Sequence, residues 1–554
     1  MPERMADIVV VGAGSAGCLL ANRLSADPSI KVVLLEAGGP DRNPLTRVPL
    51  LAGLVYYLKS INWNYRTEPD PGLNGRSLVW PRGKVLGGSS TINGMMYMRG
   101  HRRDYDDWRQ QGLTGWGYAD LLPYFKAFER NLSHPEDDFY HGRSGELPTE
   151  TARGANPLYR PWLEAAKVAG FPENHDHNGP EQEGLGFYDF NIERGRRVTA
   201  ATAFLSPIAH RPNLEIVTGA EVSALTIENG RCTGVTYRAG GETHVVKARC
   251  EVALCGGAIN SPALLQRSGI GDAALLNSLG IDVVRHVPEV GRNLQDHLGV
   301  YLHWQCLQPV TLYRVFRPDV AVRAVLQALL FGTGVGAAVP LEAGGFLRTR
   351  PELDIPDIHV TFVPGLSLAA TRAGQRRHGF LTNFYLLRPK SRGHLAIRSR
   401  DPAEPPVIVP GYLSDDADIA AMRDGVRLIR RLVEQAPLDA YRGREIAPGP
   451  SVTSDVAIDT WIRDTSGTTF HPVGTCRMGT DDASVVDGAL KLRGIESLRV
   501  VDASVMPAMI GGNTSVPTMM IAEKAADMML GRPPRPRAEE PATPGLAPAR
   551  SAAA

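Results

Sequence analysis

The chain has 554 residues, 43% hydrophobic and 21% charged, with a formal net charge of +1. That length exceeds what one hydrophobic core usually fills, so two domains of an ordinary soluble enzyme are expected. The balanced charge gives nucleic acid no electrostatic footing, and no apolar run reaches the ~18 residues that span a bilayer. Six cysteines (Cys18, Cys232, Cys250, Cys255, Cys306, Cys476) are scattered without a C-x-x-C pair, so neither a zinc site nor a disulfide scaffold is expected. The first strand begins near residue 6, which leaves no room for a signal peptide. The expectation is a cytoplasmic enzyme with reduced thiols, with peripheral association at the inner membrane as a variant.

Ile8 to Val11 is an unbroken β-branched run, as in a strand buried on both faces of a parallel sheet. Gly12, Gly14 and Gly17 follow at G-x-G-x-x-G spacing, enclosing Ser15 and Ala16. The first glycine turns the chain, the second lets backbone approach a pyrophosphate, and the third lets helix and strand pack closely. A helix over Cys18–Leu24 then aims its positive end at the phosphates. Lys31 to Leu35 is a second buried strand, ending at Glu36 beside Ala37, where an acid bonds a ribose diol. Strand, turn, helix, strand and acid in register point to a dinucleotide; the alternative is a glycine-rich turn in an ordinary α/β protein.

Pro81 to Gly100 is a second glycine-rich stretch, carrying Gly87, Gly88, Ser89, Ser90 and Asn93. It reads either as a turn before a helix or as a wall against a flavin and its pyrophosphate. His175 and His177 flank Asp176 in a polar loop, where no metal is expected. Leu214 to Arg238 alternates about Asn229-Gly230, a hairpin signal. Lys247 to Gly271 is again strand, glycine turn and helix, expected against the cofactor. Asp296-His297 is read as structuring a turn at the domain boundary. Tyr313 to Val335 combines Arg314, Arg317 and Arg323 with Val322, Val325, Leu326, Leu329 and Leu330. Its preferred reading is a surface helix packed on the substrate side or on a second subunit; the other is an interfacial helix that touches a membrane and its quinones. Strands at Ile358–Val363 and Gly379–Leu387 and a helix at Asp416–Glu434 belong to a substrate-side domain on an antiparallel sheet.

The expected domains are therefore a discontinuous cofactor domain over 1–300, with substrate-side insertions at about 46–80 and 101–194, a substrate domain over 301–464, and a return to the cofactor domain over 465–531. The Pro- and Ala-rich tail, 532–554, is expected to be disordered. In the returning segment, His471 precedes Pro472, which keeps it out of a helix, and a histidine can take a proton near neutral pH. Asn513 lies in Gly511-Gly512-Asn513-Thr514, ahead of an expected helix over Thr518–Leu530 with Ser515 as N-cap and Pro517 near its first turn. The positive end of that helix would stabilise a negatively charged reduced flavin above Thr514. Taken singly, both residues read equally well as structural.

Two stretches are similar to the two signatures of the glucose–methanol–choline (GMC) oxidoreductase family, RGKVLGGSSTINGMMYMRG (Arg82 to Gly100) and GAINSPALLQRSGIG (Gly257 to Gly271). Tyr56 to Ser90, VGRNLQDHL (Val290 to Leu298) and HPVGTCRMG (His471 to Gly479) most resemble its bacterial choline dehydrogenase and medium-chain alkanol dehydrogenase branch, and the resemblance runs from Asp7 to about Leu530. It implies an α/β fold (α+β overall), with a Rossmann-like FAD-binding domain beside a substrate domain built on an antiparallel sheet. It implies FAD and a catalytic pair that maps onto His471 and Asn513. Further FAD contacts are implied at Val85, Gly88, Ser89, Asn93, Gly94 and Met95, at Val222 for adenine, and at Asp502, Ala503 and Thr514. Ile92 stands where some members attach FAD through a histidine, so non-covalent FAD is implied. Phe470, beside the base, is expected to shape the alcohol pocket.

The implied reaction is oxidation of a primary alcohol to an aldehyde. His471 removes the hydroxyl proton, Asn513 stabilises the alkoxide, and hydride passes to flavin N5. Electrons then reach a quinone-like acceptor; alternatives are O2 with release of H2O2, a non-redox FAD lyase, or a light-driven decarboxylase. Choline would call for a carboxylate and aromatic rings around a cation, which the sequence does not place. Aliphatic, aromatic and polyether alcohols stay open, as does the oligomeric state.

Overall fold

Buried apolar strands build the first layer. The protein's computed structural model describes residues 4–367 and 377–539. Strand β1 (Arg4–Val11), helix α1 (Ser15–Leu24) and strand β2 (Val32–Glu36) follow one another, and every residue of β2 is buried. Four more strands join them: β3 (Leu214–Thr218), β4 (Glu221–Glu228), β5 (Arg231–Ala239) and β6 (Glu242–Leu254). The order across the sheet is β3-β2-β1-β6-β5-β4. β3, β2, β1 and β6 run parallel, whereas β6, β5 and β4 run antiparallel. The β4–β5 hairpin closes through Asn229 and Gly230 at φ 51° and 77°, the two left-handed residues a type I′ turn needs. Val11 pairs with both Leu35 and Leu254, so three parallel strands end level and the loops after them converge. Helix α2 (Gly257–Arg267) leaves from the third of these loops.

The second layer is an antiparallel sheet of β7 (Leu298–Cys306), β8 (Ala343–Leu347), β9 (Ile358–Val363), β10 (Gly379–Leu386), β11 (Arg442–Ala447) and the short β12 (Gly467–Thr468). Their order is β8-β9-β10-β7-β11, with β12 on β7. The period of two separates its faces. Ile358, Val360, Phe362, Phe380 and Phe384 enter an apolar core with the inner face of helix α4 (Asp416–Val433). On the other face His359 pairs across to Tyr385, Thr361 to Asn383 and Val363 to Leu381.

Helix α3 (Pro318–Phe331), between β7 and β8, buries only Ala324 and Ala328 and exposes Val322, Leu326, Leu330 and Phe331. Among the described residues no helix is long and apolar enough to cross a membrane. The chain then returns to the first sheet: β13 (Leu498–Val500) pairs with β6 in parallel, and helix α5 (Ser515–Met529) packs on α1.

Three expectations are corrected. Residues 102–128, expected on the substrate side, put Tyr105, Trp108, Leu121, Phe125 and Phe128 into the same core as β1, α1 and α5, because the helix over Tyr118–Phe128 packs on α5 and the helix over Arg102–Gln110 packs on that helix in turn. Residues 532–539, expected to be disordered, run back along that surface. Arg535 pairs with Glu523 (2.6 Å) and Asp527 (3.0 Å), and the Ala538 N–H donates to the Ala119 carbonyl (2.9 Å). Two buried carboxylates on α5 offer that arginine a partner that composition alone does not reveal; residues 540–554 lie outside the described residues. Finally, Ser515 is the first helical residue, and Thr514 is the N-cap.

Candidate active site

The loops at the ends of β1, β2 and β6 form one side of a cavity of about 510 Å³, and the His359/Asn383 face of the antiparallel sheet forms another. Three glycines make the first loop, each for its own reason. Gly12 has φ 100°, and a Cβ there would lie 2.6 Å from the Cys255 carbonyl. A Cβ at Gly17 would lie 1.9 Å from the Gly12 carbonyl, so this glycine supports the turn from behind. A Cβ at Gly14 would meet nothing within 4 Å, so bare backbone faces the cavity at the start of α1. The Glu36 carboxylate, at the end of β2, accepts from the N–H groups of Ala13 and Gly38, both at 2.8 Å. Burial pushes its pKa up to about 7, against the pull of those two donors. The Asp502 carboxylate accepts from Ser261 Oγ (2.5 Å) and the Gly257 N–H (2.8 Å), tying α2 to the end of β13. The N-terminal ends of α1 and α5 meet where Ser15 Oγ and Ser515 Oγ are 3.4 Å apart.

Of the residues expected to hold a cofactor, Gly12, Gly14, Ser15, Ala16, Glu36, Ala37, Gly88, Ser89, Asn93, Gly94, Met95, Val222, Asp502, Ala503, Asn513 and Thr514 line this one cavity. Gly17 and Val85 do not. Gly17 is behind the turn, and Val85 packs with Val55, Ile61 and Ile92. Ile92 itself lines the cavity with an inert side chain.

His471 and Asn513 line the same cavity. Phe470 adopts φ 67°, an uncommon backbone state for a residue with a side chain. The turn is held from both sides: Arg82 Nη2 donates to the Phe470 carbonyl (2.6 Å), and the Phe470 N–H donates to Thr468 Oγ1 (2.8 Å). Asp296, beneath it, accepts from the His471 N–H (2.7 Å), from Thr468 Oγ1 (2.6 Å) and from the Tyr412 hydroxyl.

The imidazole ring of His471 is oriented by a chain of bonds that fixes its tautomer. His297 Nε2 donates to the Leu387 carbonyl at 2.9 Å. In a neutral imidazole the other nitrogen is then an acceptor, so His297 Nδ1 accepts from His471 Nδ1–H at 3.0 Å. Thr469 Oγ1 is 3.1 Å from the same His471 nitrogen. His471 Nε2 is left with its lone pair, 3.1 Å from the Asn513 amide nitrogen. Burial pushes the His471 pKa well below its ordinary value, with the neighbouring His297 and Arg82 adding to the effect. The ring is thus neutral and poised to accept a proton, while Asn513 can donate a hydrogen bond to an oxygen placed beside it. The buried Asn513 Oδ1 has no protein partner.

Sequence reasoning placed His297 in a boundary turn and missed its contact with His471. It also missed His359, Thr361, Asn383, Tyr385 and Tyr301 in the lining. The alternation of 358–363 and 379–386 carried a signal for four of these, since each strand puts polar groups on one face and a buried apolar row on the other.

Residues 6–299 match a family model described as GMC oxidoreductase, its N-terminal part, and residues 389–522 match the C-terminal part. Similar curated proteins include an "oxygen-dependent choline dehydrogenase" of Pseudomonas fluorescens, 45% identical over 97% of this chain and 95% of the relative. One of Burkholderia multivorans with the same name is 44% identical over 98% and 96%. Among solved structures, pyridoxine 4-oxidase from Mesorbium loti superposes with a TM-score of 0.87 at 34% identity, covering 95% of this chain and 99% of the other. A formate oxidase superposes with a TM-score of 0.90 at 27% identity, over 96% and 99%.

Proposed function

This chain belongs to the GMC oxidoreductase family, and from that premise we propose that it oxidises a primary alcohol to an aldehyde with His471 as the base and Asn513 as the group that steadies the developing alkoxide. It is an FAD-dependent oxidoreductase acting on CH–OH donors. The cavity fits that cofactor: open backbone at Gly14 and the ends of α1 and α5 suit a pyrophosphate, and Glu36 suits a ribose diol. When bound, FAD supplies the hydride acceptor. We read it as held without a covalent bond, because Ile92 offers no nucleophile; release of all flavin on acid precipitation is the expected result.

The observation that carries the reading is the directed lone pair of His471 Nε2 beside the Asn513 amide. Nδ1–H is committed to His297, so the alcohol proton has one place to go. The hydroxyl oxygen is held by Asn513 as its proton leaves, and the apolar wall keeps water from competing. The first measurement is the visible spectrum of the holoenzyme under argon during titration with alcohols. Bleaching of the flavin band is expected; a band that no alcohol bleaches refutes the proposal. Base catalysis of this kind contributes ~10²–10⁴-fold, so His471→Ala should lose about that much in flavin reduction while keeping FAD. Asn513→Ala should slow reduction more than it weakens FAD binding.

The electron acceptor is read as a quinone-like molecule reached at a lipid surface, supported by the exposed apolar row of α3 with Arg314 and Arg323 beside it. The names of the relatives favour a second reading, O2 as acceptor. Peroxide released under air at the rate of alcohol turnover would decide for it.

A further inference from the structure

The two halves of the cavity differ in charge, and this bears on which alcohol it takes. Three carboxylates line it, and all three sit at the ends of strands of the first sheet: Glu36, Glu221 and Asp502. Each is engaged already, Glu36 and Asp502 as described above and Glu221 with Lys84 at 3.0 Å. Around His471 the wall is different. Met95, Met96, Leu341, Val363, Leu366 and Leu381 give it an apolar surface, and its polar groups, such as Thr361, Asn383 and Ser367, are uncharged. Among the described residues no Asp or Glu lines this half. Residues 368–376, which follow Ser367 and lie outside the described residues, contain neither Asp nor Glu in sequence.

The charge that does stand there is positive. Arg82 lines the cavity and donates from Nε to the Pro81 carbonyl and from Nη2 to the Phe470 carbonyl, both at 2.6 Å. Asp296, the acid whose charge acts on it, lies beneath His471, is absent from the lining, and accepts three protein hydrogen bonds. Aromatic faces could in principle hold a cation. The Trp63 face already carries Lys84 Nζ at 4.0 Å from the ring centroid, the rings of Tyr56 and Phe470 pack on each other at 5.0 Å, Tyr385 stacks on His297 at 4.8 Å, and Tyr301, the remaining tyrosine of the lining, brings no carboxylate with it. A quaternary ammonium would therefore be buried opposite a cation with no counter-charge, which is strongly unfavourable.

Building on the alcohol-oxidation reading above, we propose that this cavity selects an uncharged alcohol with an apolar body and excludes choline, although similar proteins are named for choline. The test uses two alcohols of one shape. 3,3-Dimethylbutan-1-ol carries carbon where choline carries its cationic nitrogen, so comparison isolates the charge. Flavin reduction in the holoenzyme, followed under argon by rapid mixing, should be at least about 100-fold more efficient with the neutral isostere, as expected for burial of an unpaired charge. Hexan-1-ol and benzyl alcohol should also reduce it. Choline reducing the flavin as well as its isostere would overturn this inference and leave alcohol oxidation standing. No reduction by any of the four would overturn both. Asn383→Asp places a carboxylate on the wall in nearly the same volume and should narrow the preference at least about tenfold; an unchanged ratio would show that wall charge does not decide the substrate.

Discussion

Replacing His297 by Phe tests whether the histidine relay fixes the protonation of His471. Phenylalanine keeps a ring in place of one that stacks on Tyr385 at 4.8 Å, so the packing is largely retained. Two hydrogen bonds disappear: the 3.0 Å contact that accepts His471 Nδ1–H and the 2.9 Å contact to the Leu387 carbonyl. The first bond favours the tautomer that leaves Nε2 free. A net hydrogen bond is worth about 0.5–1.5 kcal/mol, so flavin reduction should slow by roughly 2- to 12-fold. Thr469 Oγ1, 3.1 Å from the same nitrogen, keeps the loss from growing larger. The orphaned Leu387 carbonyl should cost about 1–3 kcal/mol of stability. Anaerobic rapid mixing with a saturating alcohol reads the first effect, and denaturant unfolding of the holoenzyme reads the second. A reduction rate unchanged in a variant that has lost that stability would refute the tautomer argument. A loss as deep as that of His471→Ala would mean that His297 handles the proton itself.

Gly14→Leu should give a folded protein without flavin, because a Cβ there meets nothing within 4 Å and the side chain would occupy the cavity, whereas Gly17→Ala should fail to fold stably, its Cβ 1.9 Å from the Gly12 carbonyl. Flavin-to-protein ratio and circular dichroism separate the two; equal flavin content in the Gly14 variant would contradict the cradle. His141 is buried, which disfavours its cation, yet bonds to Asp176 (2.8 Å) and Glu129 (3.1 Å) hold its pKa up at about 9. A raised folded-state value stabilises the protein fully below the unfolded pKa of ~6.5 and loses that contribution as pH rises through about 9, at most about 3 kcal/mol. Urea midpoints should therefore fall between pH 6 and pH 10, and His141→Gln should flatten this part of the profile; an equally steep fall in the variant would assign it elsewhere. Leu326→Glu with Leu330→Glu should abolish sedimentation with phosphatidylglycerol vesicles while alcohol-driven flavin reduction persists, and a wild-type protein that stays in the supernatant would rule out the lipid contact.

The glycine loop and the strands that carry it to the cavity were legible because their parts are local. β1, the Gly12–Gly17 turn, α1, β2 and Glu36 lie within one short stretch, and each step follows from backbone sterics or from the burial of an apolar run. The Asn229-Gly230 hairpin was legible for the same reason. The antiparallel sheet was readable as strands, but the pairing of His359 with Tyr385 and Thr361 with Asn383 depends on register between strands separated by a long connection, which a period of two does not set.

Composition misread residues 532–539, since Pro-rich polarity says nothing of Glu523 and Asp527 waiting on α5. It misread 102–128 as well, whose aromatic faces have no assigned partner until α5 is in place. The surroundings of His471 were the least legible part. His297 and His471 are far apart in the chain, and their bond at 3.0 Å exists because β7 and β12 pair in one sheet. A histidine's sequence neighbours do not set its tautomer or its pKa; burial and hydrogen-bond partners do, and these are brought together only when the two sheets close on the cavity.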